Sequence, residues 1–167
     1  SWIQIGSNIT GNSGDFFGTS VSISSDGTKV AIGVFENPSY YPSSPGLVRV
    51  YEYTNNSWSQ LGNDIIGEAS QDRSGGSVSL SSDGTIVAIG AVGNENGKGH
   101  VRVYKYIGGV ASDTVNTTWT KLGQDIDGEA SQDQSGGSVS LSGNGTRVAI
   151  GAQYNDDGPG NDAAGHT

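Results

Sequence analysis

"SGGSVSLSSDGTIVAIGA", residues 74–91, holds two alternating runs around an Asp-Gly, and nearly the same words occur on both sides of it in the chain. In Ser77-Val-Ser-Leu-Ser81 the branched Val78 and Leu80 point to one face and the serines to the other, and in Val87-Ala-Ile-Gly90 the bulky Val87 and Ile89 oppose Ala88 and Gly90. Both runs read as β-strands with one bulky and one small face. That division suits sheets stacked face to face, because branched side chains need shallow Ala, Ser and Gly surface opposite them. Between the runs, Asp83-Gly84 is expected to form a type I′ hairpin turn, whose two central residues take positive φ. Asp26-Gly27 and Asn144-Gly145 occupy the same place. Since Asn replaces Asp in the third copy, a turn explains the position better than a metal ligand does.

Working outward, the whole chain is built of this unit. Trp2-Ile-Gln-Ile-Gly6 matches Trp58-Ser-Gln-Leu-Gly62 and Trp119-Thr-Lys-Leu-Gly123, which are spaced by 56 and 61 residues. Val30-Ala-Ile-Gly33 and Val148-Ala-Ile-Gly151 flank Val87-Ala-Ile-Gly90, and Leu47-Val-Arg-Val-Tyr-Glu-Tyr53 pairs with His100-Val-Arg-Val-Tyr-Lys-Tyr106. Four short strand-like runs per unit of about 60 residues, without any 3.6-residue apolar period, predict an all-β fold. The expected architecture is a β-propeller of four-stranded antiparallel blades, one segment over 1–167 with approximate blades 1–53, 57–106 and 119–167. The last blade stops at Gly165-His-Thr167, before the strand that follows His100 in the preceding copy, so its fourth strand is expected from a longer chain or from a neighbouring subunit.

Composition narrows the function. A net charge of −9, with only eight Lys and Arg, scattered along the chain, argues against nucleic-acid partners. No stretch reaches the roughly 18 apolar residues of a membrane helix, so membrane insertion is not expected. No charged and apolar leader is legible before the first repeat, so a signal peptide is expected to be absent or removed. An acidic surface rich in Ser, Thr, Asn and Gly fits an extracellular or cell-surface protein, and Cys is absent. Four N-x-[ST] sequons, at Asn8, Asn55, Asn116 and Asn144, are glycosylation candidates if the source is a eukaryotic secretory pathway.

Asp15-Phe-Phe-Gly18-Thr-Ser-Val21, Val30-Ala-Ile-Gly33 and Gly46-Leu-Val-Arg-Val-Tyr51 together resemble the FG-GAP repeats of integrin α-subunit-like β-propellers. The later copies read Asp72-Arg-Ser-Gly75-Gly-Ser-Val78 with Gly90-Ala91, and Asp133-Gln-Ser-Gly136-Gly-Ser-Val139 with Gly151-Ala152, so the likeness runs along the whole chain. Phe is kept once and the Pro of "GAP" is missing throughout. The resemblance implies an extracellular scaffold for adhesion. The family's calcium loop has shrunk here to Ser-Ser-Asp-Gly-Thr or Ser-Gly-Asn-Gly-Thr, whose single carboxylate cannot provide six to eight oxygens. Its calcium sites therefore do not carry over to Asp26, Asp83 or Asn144.

Other residues are candidates for chemistry. Asp125, Asp127, Glu129 and Asp133 form the densest acidic cluster and would take calcium if they converge. The competing expectation is structural: Asp64 and Asp125 cap turns, while Asp15, Asp72 and Asp133 accept hydrogen bonds from loop amides. Asn155-Asp156-Asp157 and Asp162 correspond to Asn94-Glu95-Asn96 one repeat earlier and to residues 38–45 two repeats earlier, loops of variable length expected at a rim. Tyr40, Tyr41, Asp156 and Asp157 are the candidate rim contacts. Trp2, Trp58 and Trp119 recur beside Ile or Leu and Gly, as packing residues do, and His100 and His166 share one structural position.

The reading is thus a non-catalytic scaffold for a protein or glycan partner. The first alternative is a self-assembling subunit of an extracellular filament or coat, completed by strand exchange between its copies. The second is a glycan-acting enzyme using paired acids such as Asp127 and Glu129.

Overall fold

The computed structural model of the protein describes residues 1–36, 43–108 and 118–155. Its strands are β1 (Asp15–Ile23), β2 (Lys29–Glu36), β3 (Leu47–Thr54), β4 (Ser57–Gln60), β5 (Ile65–Ile66), β6 (Ser77–Leu80), β7 (Ile86–Ala91), β8 (His100–Tyr106), β9 (Trp119–Lys121), β10 (Ile126–Asp127), β11 (Ser138–Leu141) and β12 (Val148–Gly151). The fold is all-β and its pairings within the sheets are antiparallel. The first sheet runs β1-β2-β3, with β4 and β5 both paired to β3; the second runs β6-β7-β8, with β9 and β10 both paired to β8; β11 and β12 form a third. Among the described residues no sheet closes into a barrel. Among the described residues no helix is long and apolar enough to cross a membrane.

Sheet membership is out of phase with the sequence units 57–106 and 119–167, the first two strands of each joining the preceding sheet. The Trp run ends a sheet rather than opening the next, with Tyr53 facing Trp58 and Tyr106 facing Trp119 in register. Between β3 and β4, turn length dictates this. Asn55 and Asn56 are the only residues between Thr54 and its partner Ser57, and both are left-handed, at φ 51° and 62°. This is a type I′ turn, and it can only return the chain along β3.

The Asp-Gly tips are therefore not the type I′ turns expected of them. Gly27, Gly84 and Gly145 have positive φ, but Asp26, Asp83 and Asn144 do not. Each tip is a longer loop in which the Gly N–H reaches back to Ser24, Ser81 or Ser142 and the serine N–H pairs with the carbonyl of Lys29, Ile86 or Arg147. The side chain explains the difference. Asp26 Oδ1 accepts from Ser24 Oγ, Thr28 N and Thr28 Oγ1 at 2.6, 2.9 and 2.8 Å, which holds the Asp backbone on the right-handed side. Asn144 repeats all three contacts.

The sheets stack bulky face against small face. Val78, Leu80, Val87 and Ile89 of the second sheet form one buried cluster with Ala31, Val48 and Val50 of the first. Full burial of each branched side chain contributes about 2 kcal/mol. Serines on the small face bond across the gap: Ser20 Oγ donates to the Gly75 carbonyl and Ser22 Oγ accepts from Leu80 N, and one repeat later Ser77 Oγ donates to the Gly136 carbonyl and Ser79 Oγ accepts from Leu141 N. The approach is closest at glycine. A Cβ on Gly33 would stand 2.0 Å from the Gly75 carbonyl oxygen, and one on Gly90 2.1 Å from that of Gly136.

The tryptophans extend the stack along its side. Trp58 Nε1 donates to the Ile5 carbonyl and Trp119 Nε1 to the Leu61 carbonyl, and each ring tilts against Tyr53 or Tyr106 at centroid distances of 5.1 and 5.3 Å. Both are packing residues. Trp2 is fully exposed.

Candidate functional site

At one edge of the stack, three loops meet around two buried carboxylates. Asp72 Oδ2 accepts from Ala69 N at 2.8 Å and its Oδ1 from Asn94 Nδ2, while Asp133 Oδ2 accepts from Ala130 N at 2.7 Å and from Asn155 Nδ2. In the first repeat Asp15 Oδ2 accepts from Asn12 N, three residues back as in the others. These aspartates therefore hold loop amides, as the structural reading expects. The backbone reinforces the junction: Gly93 N donates to the Asp72 carbonyl, Gln134 N to that of Gly97, and Ser131 Oγ to that of Asn96.

The loops enclose an open cleft of about 1120 Å³ between residues 69–73, the turn 93–97, residues 131–134 and Tyr154. Its lining is mostly uncharged and polar, and Tyr154 shows 49% of its surface. The cleft also concentrates backbone strain. Among the described residues eight non-glycine residues have positive φ; two form the Asn55-Asn56 turn, and the other six, Gln71, Arg73, Glu95, Asn96, Gln132 and Gln134, all line this cleft. Such conformations cost about 1 kcal/mol or more for a residue with a Cβ, and glycine adopts them freely. The first repeat uses that option: Gly14, at φ 95°, stands where the later copies have Gln71 and Gln132.

The acidic cluster is not gathered. Asp125 accepts from Arg102 Nη2 at 2.8 Å and from Lys121 Nζ at 2.6 Å, whereas Glu129 and the buried Asp133 share Asn155 Nδ2. Asp127 lies exposed on β10, opposite His100 in register. The four acids of the calcium reading, Asp125, Asp127, Glu129 and Asp133, are thus divided: cations of the chain hold Asp125, and the Asn155 amide bridges Glu129 and Asp133. Nor does Asp125 cap a turn.

The metal-type grouping that does form among the described residues is Glu68, His100 and Asp125, with ligand atoms within 4.8 Å of one another. Arg102 Nη2 is bonded to both of its carboxylates, so a permanent cation stands where a metal would. The Arg102 hydrogen bond, helped by Lys121, holds the Asp125 carboxyl at about 2. Burial works against the Arg102 charge, but the Asp125 hydrogen bond and the surrounding carboxylates outweigh it and raise its pKa further. Burial first, and the Arg102 charge second, lower the His100 pKa. The group fits an ion-pair network rather than a metal centre. The first repeat has its counterpart in the two-pronged Arg49–Asp64 pair, at 2.9 and 3.0 Å.

The Asp-Gly tips are likewise self-contained. Hydrogen bonds from Ser24 and Thr28 hold the exposed Asp26 carboxyl at about 2, and those from Ser81 and Thr85 lower that of Asp83. Of the sequons, Asn8, Asn55 and Asn144 are exposed. Asn116, Tyr40, Tyr41, Asp156, Asp157, Asp162 and His166 lie outside the described residues.

The strained lining and the two Arg–Asp pairs were missed by sequence reasoning. For the pairs a signal exists, since Arg49 and Arg102 recur at one strand position and Asp64 and Asp125 each follow Gln60 or Lys121 by four residues. For the left-handed residues the one hint is Gly14 in place of Gln. Comparison of the chain with known protein families and with curated proteins finds no match.

Proposed function

We propose that this chain is part of a β-propeller-type, FG-GAP-like repeat scaffold, extracellular or on a cell surface, that holds a protein or glycan partner without catalysing a reaction. The observation that carries this reading is the cleft between the second and third repeats, where six side chains are kept at left-handed positions that glycine would occupy without strain. Rigid sheets position these loops, as binding loops commonly are. The carboxylates nearest the cleft point away from hydrolysis: Asp72 and Asp133 are bound to loop amides. The acidic composition and exposed sequons support the location.

An array of immobilised glycans and peptides, probed with the labelled chain, tests the reading. Retention of a ligand that is lost on plugging the cleft by Ser131→Trp is the expected result. Retention unaffected by the plug, or none at all, would contradict it.

A second reading, a self-assembling subunit, is favoured by one observation. Val21 and Ile23 are 64% and 62% exposed on the first sheet although their counterparts Val78 and Leu80 are buried, and the small face of Ser138, Ser140 and Ala149 on the third sheet is also open. These surfaces match the two halves of the internal interface, so head-to-tail stacking would cover both. Sedimentation of the chain with and without Val21→Lys separates this reading from a monomeric scaffold.

A further inference from the structure

We propose that the cleft takes a neutral oligosaccharide, bound by side-chain amides and stacked on Tyr154; this rests on the binding-scaffold reading above and names its ligand class. The first ground is charge. The chain carries −9, yet each charged group lining the cleft already has a partner: Glu95 pairs with Lys98 at 3.4 Å, the buried Asp72 accepts from Asn94 and Ala69, and Arg73 is itself engaged. An ionic ligand would have to compete with those partners.

The second ground is the kind of polar group. Gln71, Asn96, Gln132 and Gln134 each present a planar amide with donor and acceptor side by side, the arrangement that adjacent sugar hydroxyls complement. Three of the four lie at positions 71, 132 and 134, beside the buried aspartates, so the loops that carry them are fixed before a ligand arrives. Preorganisation of that sort lowers the ordering entropy lost on binding.

The third ground is apolar surface. Protein partners are usually anchored by a large apolar or aromatic side chain in a desolvated pocket. Here the apolar lining is Ala69, Val92 and the half-exposed ring of Tyr154. One exposed ring beside several amides offers a sugar both a stacking face and hydrogen bonds.

Saturation-transfer NMR on the full 167-residue chain, with short glucan, mannan and chitin oligosaccharides and with pooled apolar and charged peptides, tests the proposal. At least one oligosaccharide should receive saturation; Tyr154→Ala should weaken it about tenfold, Tyr154→Trp should restore it, and Ser131→Trp should abolish it. Saturation of peptides alone would overturn the sugar assignment and leave the scaffold reading standing. Saturation of neither would overturn both, and sugar binding indifferent to all three variants would overturn the site. Should Tyr154→Ala unfold the chain, the Tyr154→Trp and Ser131→Trp pair still decides, since one keeps the stacking face and the other fills the cleft.

Discussion

At the tips of the three long hairpins the left-handed backbone position is filled by Gly27, Gly84 and Gly145, whereas around the cleft such positions are filled, Gly97 apart, by glutamine, arginine, glutamate and asparagine. The backbone requirement is the same in both regions. At the tips no side chain is needed there, because the neighbouring Asp or Asn and the preceding Ser make the local contacts. Around the cleft the strain is retained although Gly14 in the first repeat satisfies the same turn without it. The difference separates positions selected for conformation alone from positions where a side chain is kept despite its conformation.

Breaking the stack beneath both regions should have the largest effect. Gly33→Ala places a methyl 2.0 Å from a backbone oxygen that cannot retreat without parting the sheets. A loss of about 3 kcal/mol or outright unfolding is expected in urea titration. A tip glycine has a milder role: a Cβ on Gly27 meets nothing within 4 Å, so Gly27→Ala should cost about 1 kcal/mol, from φ alone. Comparable losses for the two variants would mean that close approach of the sheets is not what Gly33 provides.

Acid sensitivity sharpens the comparison further. The His100 pKa is lowered in the folded protein, so folding favours its neutral ring. That contribution is complete above the ordinary value of 6.5 and is lost as pH falls below it. Leu47 holds the equivalent position in the first repeat, so His100→Leu should fold and flatten the stability profile on the acid side of 6.5. Carboxylates act lower down. Asp26 and Asp125, at about 2 when folded, stabilise fully above their ordinary 3.8 and lose that support as pH falls toward 2. The smallest effect is expected for Asp83→Asn, which reproduces the third repeat. It should change stability by under about 0.5 kcal/mol at neutral pH and remove the acid-side loss of that tip.

Much of the fold was legible because it depends on local pattern. Alternation in Ser77–Leu80 and Ile86–Ala91 predicted both the strands and which face is bulky, and the stacked core follows it. The phase of the sheets was not legible, since it rests on whether Asn55-Asn56 turns tightly, and nothing in the Trp motif says which β-edge it will join. The turn type at Asp-Gly failed for a related reason: a two-residue motif omits Ser24 and Thr28, whose hydroxyls decide the Asp conformation. At the site, the sequence displayed acids by density, but density does not show which acids already have cations or amides. The cleft itself depends on left-handed φ at Gln71 and Gln132, residues with no propensity for it, imposed by the loops they close.

The most direct measurement is the unfolding free energy of the double variant Gln71→Gly, Gln132→Gly, taken together with its retention on the glycan and peptide array. If these side chains are kept for a ligand, the variant should be as stable as the parent or more so, since strain is relieved at two positions, while ligand retention falls away. A variant that is less stable but retains its ligand would contradict the account and make both glutamines structural.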